Sequence, residues 1–142
     1  MTGVTVGHVT IWRDGPEPPA GQGIARTGVT AVLPGRVETL HTEPVPAGTA
    51  VLNGAGELTG SLQIADWGCI ETPVYLTSTH AVGRVYDGAV RVAVDVEPRV
   101  GTEDFVIPVV GECDDSWLDD IARRWVTTAD VRVAIDAAAA TA

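Results

Sequence analysis

Between Glu112 and Asp120 the chain reads ECDDSWLDD, with carboxylates at Glu112, Asp114, Asp115, Asp119 and Asp120. That density could bind a divalent cation, because hard cations take several oxygen ligands. A plainer use is available: acids near a helix start are favoured by the macrodipole alone. Three histidines, His8, His41 and His80, are scattered without metal-ligand spacing, so they read as surface or satisfied core residues. Thr2 offers a further chemistry. Loss of Met1 would expose a threonine with a free α-amino group, the minimal N-terminal nucleophile. Small second residues also lose their methionine with no catalytic consequence.

The elements around the acidic turn give it an address. Phe105 to Val110 is a short, β-branched apolar run of the kind that forms a buried strand. After Gly111 the apolar spacing changes, since Trp117, Leu118 and Ile121 fall three and four apart. This predicts a helix from about Ser116, capped by its hydroxyl. The acids then sit at the carboxyl end of a strand, where open α/β sheets keep their ligands.

Upstream, Val4 to Trp12 and Gly28 to Leu33 read as strands, separated by a Pro- and Gly-rich loop from Arg13 to Arg26. Arg36 to Glu43 reads as a weaker strand before a Pro44-Val45-Pro46 turn. Thr49 to Leu52 reads as a buried strand stopping at the small-residue elbow Asn53-Gly54-Ala55-Gly56. A short helix follows over Glu57 to Trp67, weakened by Gly60. Cys69 to Thr79 is a strand with Pro73 at an edge, bulge or first turn. Val82, Val85, Ala89, Val92, Ala93 and Val96 recur at helical spacing, predicting an amphipathic helix from about His80 to Val96. Thr127-Thr128-Ala129-Asp130 resembles a capping box. It opens a last helix with Val131, Ala134, Ile135 and Ala138 on one face. Interleaved strands and helices make the class α/β or layered α+β.

Composition narrows the functions. The chain has 142 residues and 45% hydrophobic content, enough for one domain with a real core. No apolar run is long enough to span a bilayer. The start, MTGVTVGHVT, shows no export signal, so a cytoplasmic location is expected. Net charge is −10, a poor match to nucleic acid, whose affinity comes largely from neutralised phosphates. Cys69 and Cys113 lie far apart without CxxC spacing, which predicts buried thiols rather than a disulfide or zinc site.

Six segments taken in order carry a resemblance. GVTVGHVT, ARTGVTAVLP, VLNGAGELTGSLQIADWG, IETPVYLTSTHAVGRVYDGAV, IPVVGECDDSWLDDI and VTTADVRVAIDAAAA resemble the N-terminal (α) part of the L-aminopeptidase/D-esterase-amidase family. That family includes the β-peptidyl aminopeptidases and a pantetheine hydrolase. The resemblance implies a four-layer αββα sandwich of the N-terminal-nucleophile type, built jointly with a second (β) chain. Residues 1–142 would be a single domain, the α part of an αβ hydrolase. Its precursor would cleave itself shortly beyond the helix over Thr128 to Thr141, and the new amino terminus would supply a Ser or Thr nucleophile. Partners implied are that β chain, a small amide or peptide substrate and further αβ units in an oligomer. No cofactor, no metal, no nucleic acid and no membrane is implied.

Site residues follow from the same resemblance. Glu71 matches a glutamate placed near the substrate's free ammonium group, where a carboxylate partner makes physical sense. Asp114 falls where many relatives have an asparagine attributed to the oxyanion hole. A carboxylate there repels a developing oxyanion unless protonated, which leaves a backbone N–H as the donor. Ser78 stands where relatives often have asparagine. Tyr75 and Tyr86 are expected in the core or the pocket wall. Two other function classes stay open at this point: a non-catalytic small-molecule-binding protein on the same scaffold, and a metal-dependent enzyme using the turn at 112–120.

Overall fold

Alternation along Ala25–Leu33 decides the central layer. Ala25, Thr27, Val29, Ala31 and Leu33 are buried while the residues between them are half-buried, the period of a strand with one face in the core. In the computed structural model, which describes residues 3–15 and 22–140, this strand (β2) pairs antiparallel with β1, Thr5–Arg13, from Thr5 opposite Leu33 to Arg13 opposite Ala25. On its other side β2 pairs antiparallel with β5, Val74–Ser78. β5 in turn runs parallel to β6, Val109–Cys113. The sheet order is β1-β2-β5-β6. A parallel pair needs a crossover, and α2, Val82–Val96, supplies it.

Two helices cover one face. α2 buries Val85, Gly88, Ala89 and Val92, and α3, Ala129–Ala139, buries Val131, Ala134, Ile135 and Ala138. They close a single core with Val29, Ala31, Leu33, Tyr75 and Val110 of the sheet. Close approach is built in at Gly7 of β1. A Cβ there would lie 2.0 Å from the Ala134 carbonyl oxygen and 2.2 Å from the Ala138 nitrogen, so only glycine lets α3 lie directly on the strand. Gly88 plays the same part between the helices, its virtual Cβ 2.7 Å from the Thr128 carbonyl oxygen.

The opposite face is largely bare. A small cluster of Ile64, Ile70 and Val109 forms where α1, Ser61–Trp67, and the two-stranded ribbon of β3, Val45–Pro46, with β4, Cys69–Ile70, meet the end of β6. Elsewhere Val6 is 51% exposed, Trp12 66% and Leu76 46%. The described residues thus form a helix layer and a sheet layer, a layered α+β arrangement with one sheet face open.

Several sequence expectations need correction. Arg36 to Glu43 is a series of tight turns, with the Thr39 and Leu40 amides both donating to the Arg36 carbonyl at 3.1 Å. Thr49 to Leu52 is neither strand nor buried; Leu52 is 98% exposed, because no described strand lies beside it. Val45–Pro46 is a short strand rather than a turn. The helix over Glu57 to Trp67 starts only at Ser61, after Gly60 takes a left-handed φ of 72°. Pro73 divides its segment into β4 and β5, and β6 begins four residues later than Phe105.

No helix starts at Ser116. The Asp114 carboxylate accepts the Ser116 amide at 3.0 Å, a local bond that competes with helix formation, and Trp117 and Leu118 are exposed. Cys113 is exposed and Cys69 half-buried, both as free thiols. Thr2 lies outside the described residues, as do Pro16 to Gly21 of the first loop. No helix among the described residues is long and apolar enough to cross a membrane.

Candidate active site

The parallel register puts Ser78 beside Cys113 at the carboxyl ends of β5 and β6. Three successive hydroxyls follow one another at the carboxyl end of β5, Thr77 and Ser78 in the strand and Thr79 just beyond it, and because strand residues alternate in direction, they go to different partners. Thr77 donates to the Gly28 carbonyl at 2.9 Å and fastens β5 to β2. Ser78, 6% exposed, donates to Asp115 Oδ1 at 2.8 Å. Thr79 donates to the Glu112 carboxylate.

The outer edge of β6 is occupied by the chain just after the elbow. The Glu112 amide donates to the Glu57 carbonyl at 3.1 Å and the Thr59 amide to the Val110 carbonyl at 3.0 Å. Asn53 Oδ1 accepts the Ala55 amide at 3.1 Å and shapes the elbow. Gly56 then passes so close that a Cβ would lie 2.7 Å from Glu112 Oε1. Two clefts of about 360 Å³ each open here. One lies on the bare sheet face, with His8, Arg26, Thr30, Leu76, Ser78 and Asp115 among its walls. The other lies between the elbow and Glu112, with Asn53, Glu57 and Ser61 in its wall.

Each acid of the turn has its own donor. Besides Glu112 and Asp115, Asp114 takes the Ser116 amide, Asp119 the Arg26 amide at 3.1 Å and Asp120 the Gly23 amide at 2.8 Å. Carboxylates spent in this way on separate donors do not converge on one point. Accordingly, no group of three or more His, Cys, Asp or Glu among the described residues could hold a metal ion.

The electrostatics separate two of these acids. Hydrogen bonds from Ser116 hold Asp114 below the usual carboxylate range. It is therefore an anion at neutral pH, and its side chain has no proton to offer an oxyanion. Asp119 moves the other way: it is 3% exposed, and burial raises its pKa against the opposing pull of the Arg26 amide.

The residues singled out in the sequence are not gathered in one place. Ser78 and Asp114 sit at the carboxyl end of β5 and β6. Glu71 precedes the other end of β5, seven residues back along a mostly extended chain and so on the order of 20 Å away. There its Oε1 accepts Gln63 Nε2 at 3.0 Å and the Ile107 amide at 3.4 Å. Tyr75 is 1% exposed under the helices, and burial pushes its phenol well above the ordinary value. Tyr86 is half-buried against the same core.

Sequence reasoning missed the Thr79–Glu112 pair and the docking of the elbow on β6. A signal existed in the run Leu76-Thr77-Ser78-Thr79, since hydroxyls at a strand end usually have something to bind. It also missed that His41 lies between two acids, with Nε2 3.2 Å from Asp104 and Nδ1 3.5 Å from Glu71.

Comparison with known proteins supplies the remaining identification. The model of Peptidase family S58 matches residues 1–142. Beta-peptidyl aminopeptidase BapA of Sphingosinicella microcystinivorans is 39% identical over 122 residues, 85% of this chain and 29% of that protein. The solved L-aminopeptidase D-Ala-esterase/amidase of Ochrobactrum anthropi, described as a variant of the Ntn hydrolase fold, superposes with a TM-score of 0.80 at 38% identity. It covers 95% of this chain and 38% of that one. A protein of Pyrococcus horikoshii OT3 superposes with a TM-score of 0.90 at 38% identity over 96% of this chain and 38% of that one. The chain spans about a third of the length of the curated relatives it matches.

Proposed function

The chain belongs to peptidase family S58, and on that premise we propose that residues 1–142 are the α part of an autoprocessed aminopeptidase or amidase. Its substrates are small peptides or amides with a free amino end. The attacking hydroxyl belongs to a β chain from the same precursor, freed as an N-terminal Ser or Thr whose own amine serves as base or proton relay. One observation carries this reading: the sheet β1-β2-β5-β6 is closed by helices on one face and bare on the other, with the hydroxyls and acids opening at its edge. A second sheet laid on that face buries Val6, Trp12 and Leu76 and completes the clefts. Among the described residues the hydroxyls of Ser78 and Thr79 donate to carboxylates. Those bonds orient the two acids, and this reading gives the hydroxyls a positioning role.

The substrate's ammonium needs an anion within hydrogen-bonding reach, because desolvating an unpaired charge is costly. The carboxylates lining the two clefts are Glu57, Glu112 and Asp115. Of these, Glu112 is oriented by Thr79 and walled in by Gly56, and this reading gives it the ammonium. Glu71, which the family resemblance suggests for that role, lies at the opposite strand end with Oε1 taken by Gln63 and the Ile107 amide, and this reading assigns it to the scaffold. With Asp114 ionised, the oxyanion donor is a backbone N–H. Exposed Trp117, Leu118 and Leu62 lie outside the clefts and are available for contacts between αβ units.

The test is a substrate pair. The full-length protein should hydrolyse amino-acid p-nitroanilides with a free amine, cleave their N-acetylated forms far more slowly, and keep its activity in a metal chelator. Loss on chelation would favour a metal enzyme built on the acidic turn. Binding of the amides without hydrolysis would favour a non-catalytic binding protein.

A further inference from the structure

His41 holds together three segments that are far apart in sequence. It belongs to the turns after β2. Glu71 belongs to the corner between β4 and β5, and Asp104 closes the loop between α2 and β6. The imidazole and the Glu71 side chain are each 10% accessible, whereas Asp104 is 54% accessible. Nε2 lies 3.2 Å from Asp104 Oδ2. Nδ1 is buried without a hydrogen bond among the described residues, although Glu71 Oε2 is 3.5 Å away.

A neutral imidazole carries one N–H and can serve one carboxylate; an imidazolium carries two and serves both. The other charges near it are already committed. Glu97 is bound through both oxygens by Arg99, each contact at 3.0 Å, and that pairing lowers its pKa to about 2. Gln63 is neutral and bonds the other oxygen of Glu71. Glu71 and Asp104 are thus the acids left for the ring.

We propose that His41 is a proton-operated clasp: protonation completes bonds to Glu71 and Asp104 and fastens the turns at 36–43 and the approach to β6 onto the amino-terminal end of β5. Histidine is the side-chain class that changes charge near neutral pH, so acid closes the clasp and base opens it. It operates at the end of the sheet away from the clefts, and it stands whether or not the proposed catalytic reading holds.

Hydrogen exchange on the full-length protein tests it, using protection factors already corrected for the intrinsic pH dependence of exchange. Peptides spanning 36–43 and 99–107 should lose protection on the order of tenfold between about pH 5.5 and 8, the size of a charge-assisted hydrogen bond. Peptides from α3 should not change. His41→Gln should remove that pH dependence. Asp104→Asn, at an exposed position that leaves the fold intact, should reduce it. A wild-type profile that is flat with pH, or one that survives in both variants, overturns the proposal. So does a loss of protection in the variants that is equal at both pH values, since that is what a purely structural role produces.

Discussion

Gly56→Ala is the sharpest probe of the clefts. The added methyl would lie 2.7 Å from Glu112 Oε1 and 3.6 Å from its Cδ. An ordinary contact to oxygen needs about 3.3 Å, so the carboxylate must retreat by roughly 0.6 Å. Glu112 is a flexible side chain, and Gly56 has no positive φ, so backbone and fold tolerate the alanine. The casualty is the Thr79 hydrogen bond. A charge-assisted bond is worth about 1.5 to 3 kcal/mol; competition from water at this exposed position leaves about 1 kcal/mol, which is roughly fivefold in a rate constant. In full-length protein, kcat/KM for a free-amine anilide should therefore fall about fivefold while Tm stays within about 2 °C. Thr79→Val should reproduce the loss and Thr79→Ser should not. A more slowly cleaved N-acylated analogue, assayed at high enzyme concentration, should be unaffected. An equal loss on both substrates would refute the assignment of Glu112 to the ammonium, and so would no loss on either.

Other substitutions separate scaffold from site. Gly7→Val meets the α3 backbone at Ala134 and Ala138, which cannot yield as a side chain can. Urea denaturation should show a loss of about 3 kcal/mol, the upper range for overpacking. Glu71→Gln should lower stability by about 1 to 2 kcal/mol and change kcat/KM equally for free-amine and N-acylated substrates; selective loss on the free amine would return the ammonium to Glu71. Burial raises the folded pKa of Asp119 above its unfolded value. Its contribution is therefore fully present below the unfolded value and is lost as pH rises through the folded one. Asp119→Asn, which keeps an oxygen for the Arg26 amide, should gain stability relative to wild type as pH rises from about 4; a difference independent of pH would contradict this.

What the sequence made legible follows from periodicity. α2 and α3 were readable because their apolar residues recur over several turns and meet one continuous sheet face, and β2 because its alternation runs its whole length. Thr49 to Leu52 misled because a short, mostly apolar run is strand-like whether or not a partner strand exists, and none lies alongside among the described residues. The turn at 114–120 misled because Trp117, Leu118 and Ile121 have helical spacing, while the acids around them are drawn to distant partners, Asp115 to Ser78, Asp119 to the Arg26 amide and Asp120 to the Gly23 amide. Ser78 could be located by resemblance. Its bond to Asp115 spans 37 residues and that of Thr79 to Glu112 spans 33. Such pairs depend on the register of two parallel strands, which local pattern does not encode. The same holds for Glu71, whose distance from Ser78 only the strand direction reveals.

Intact-mass measurement with N-terminal sequencing of the purified full-length protein reaches the central claim most directly. Two co-purifying polypeptides are expected, one containing residues 1–142 and the other beginning with Ser or Thr. Replacing that new first residue with Ala should leave one uncleaved, inactive chain. A single uncut polypeptide with full activity, or hydrolysis by residues 1–142 on their own, would contradict it.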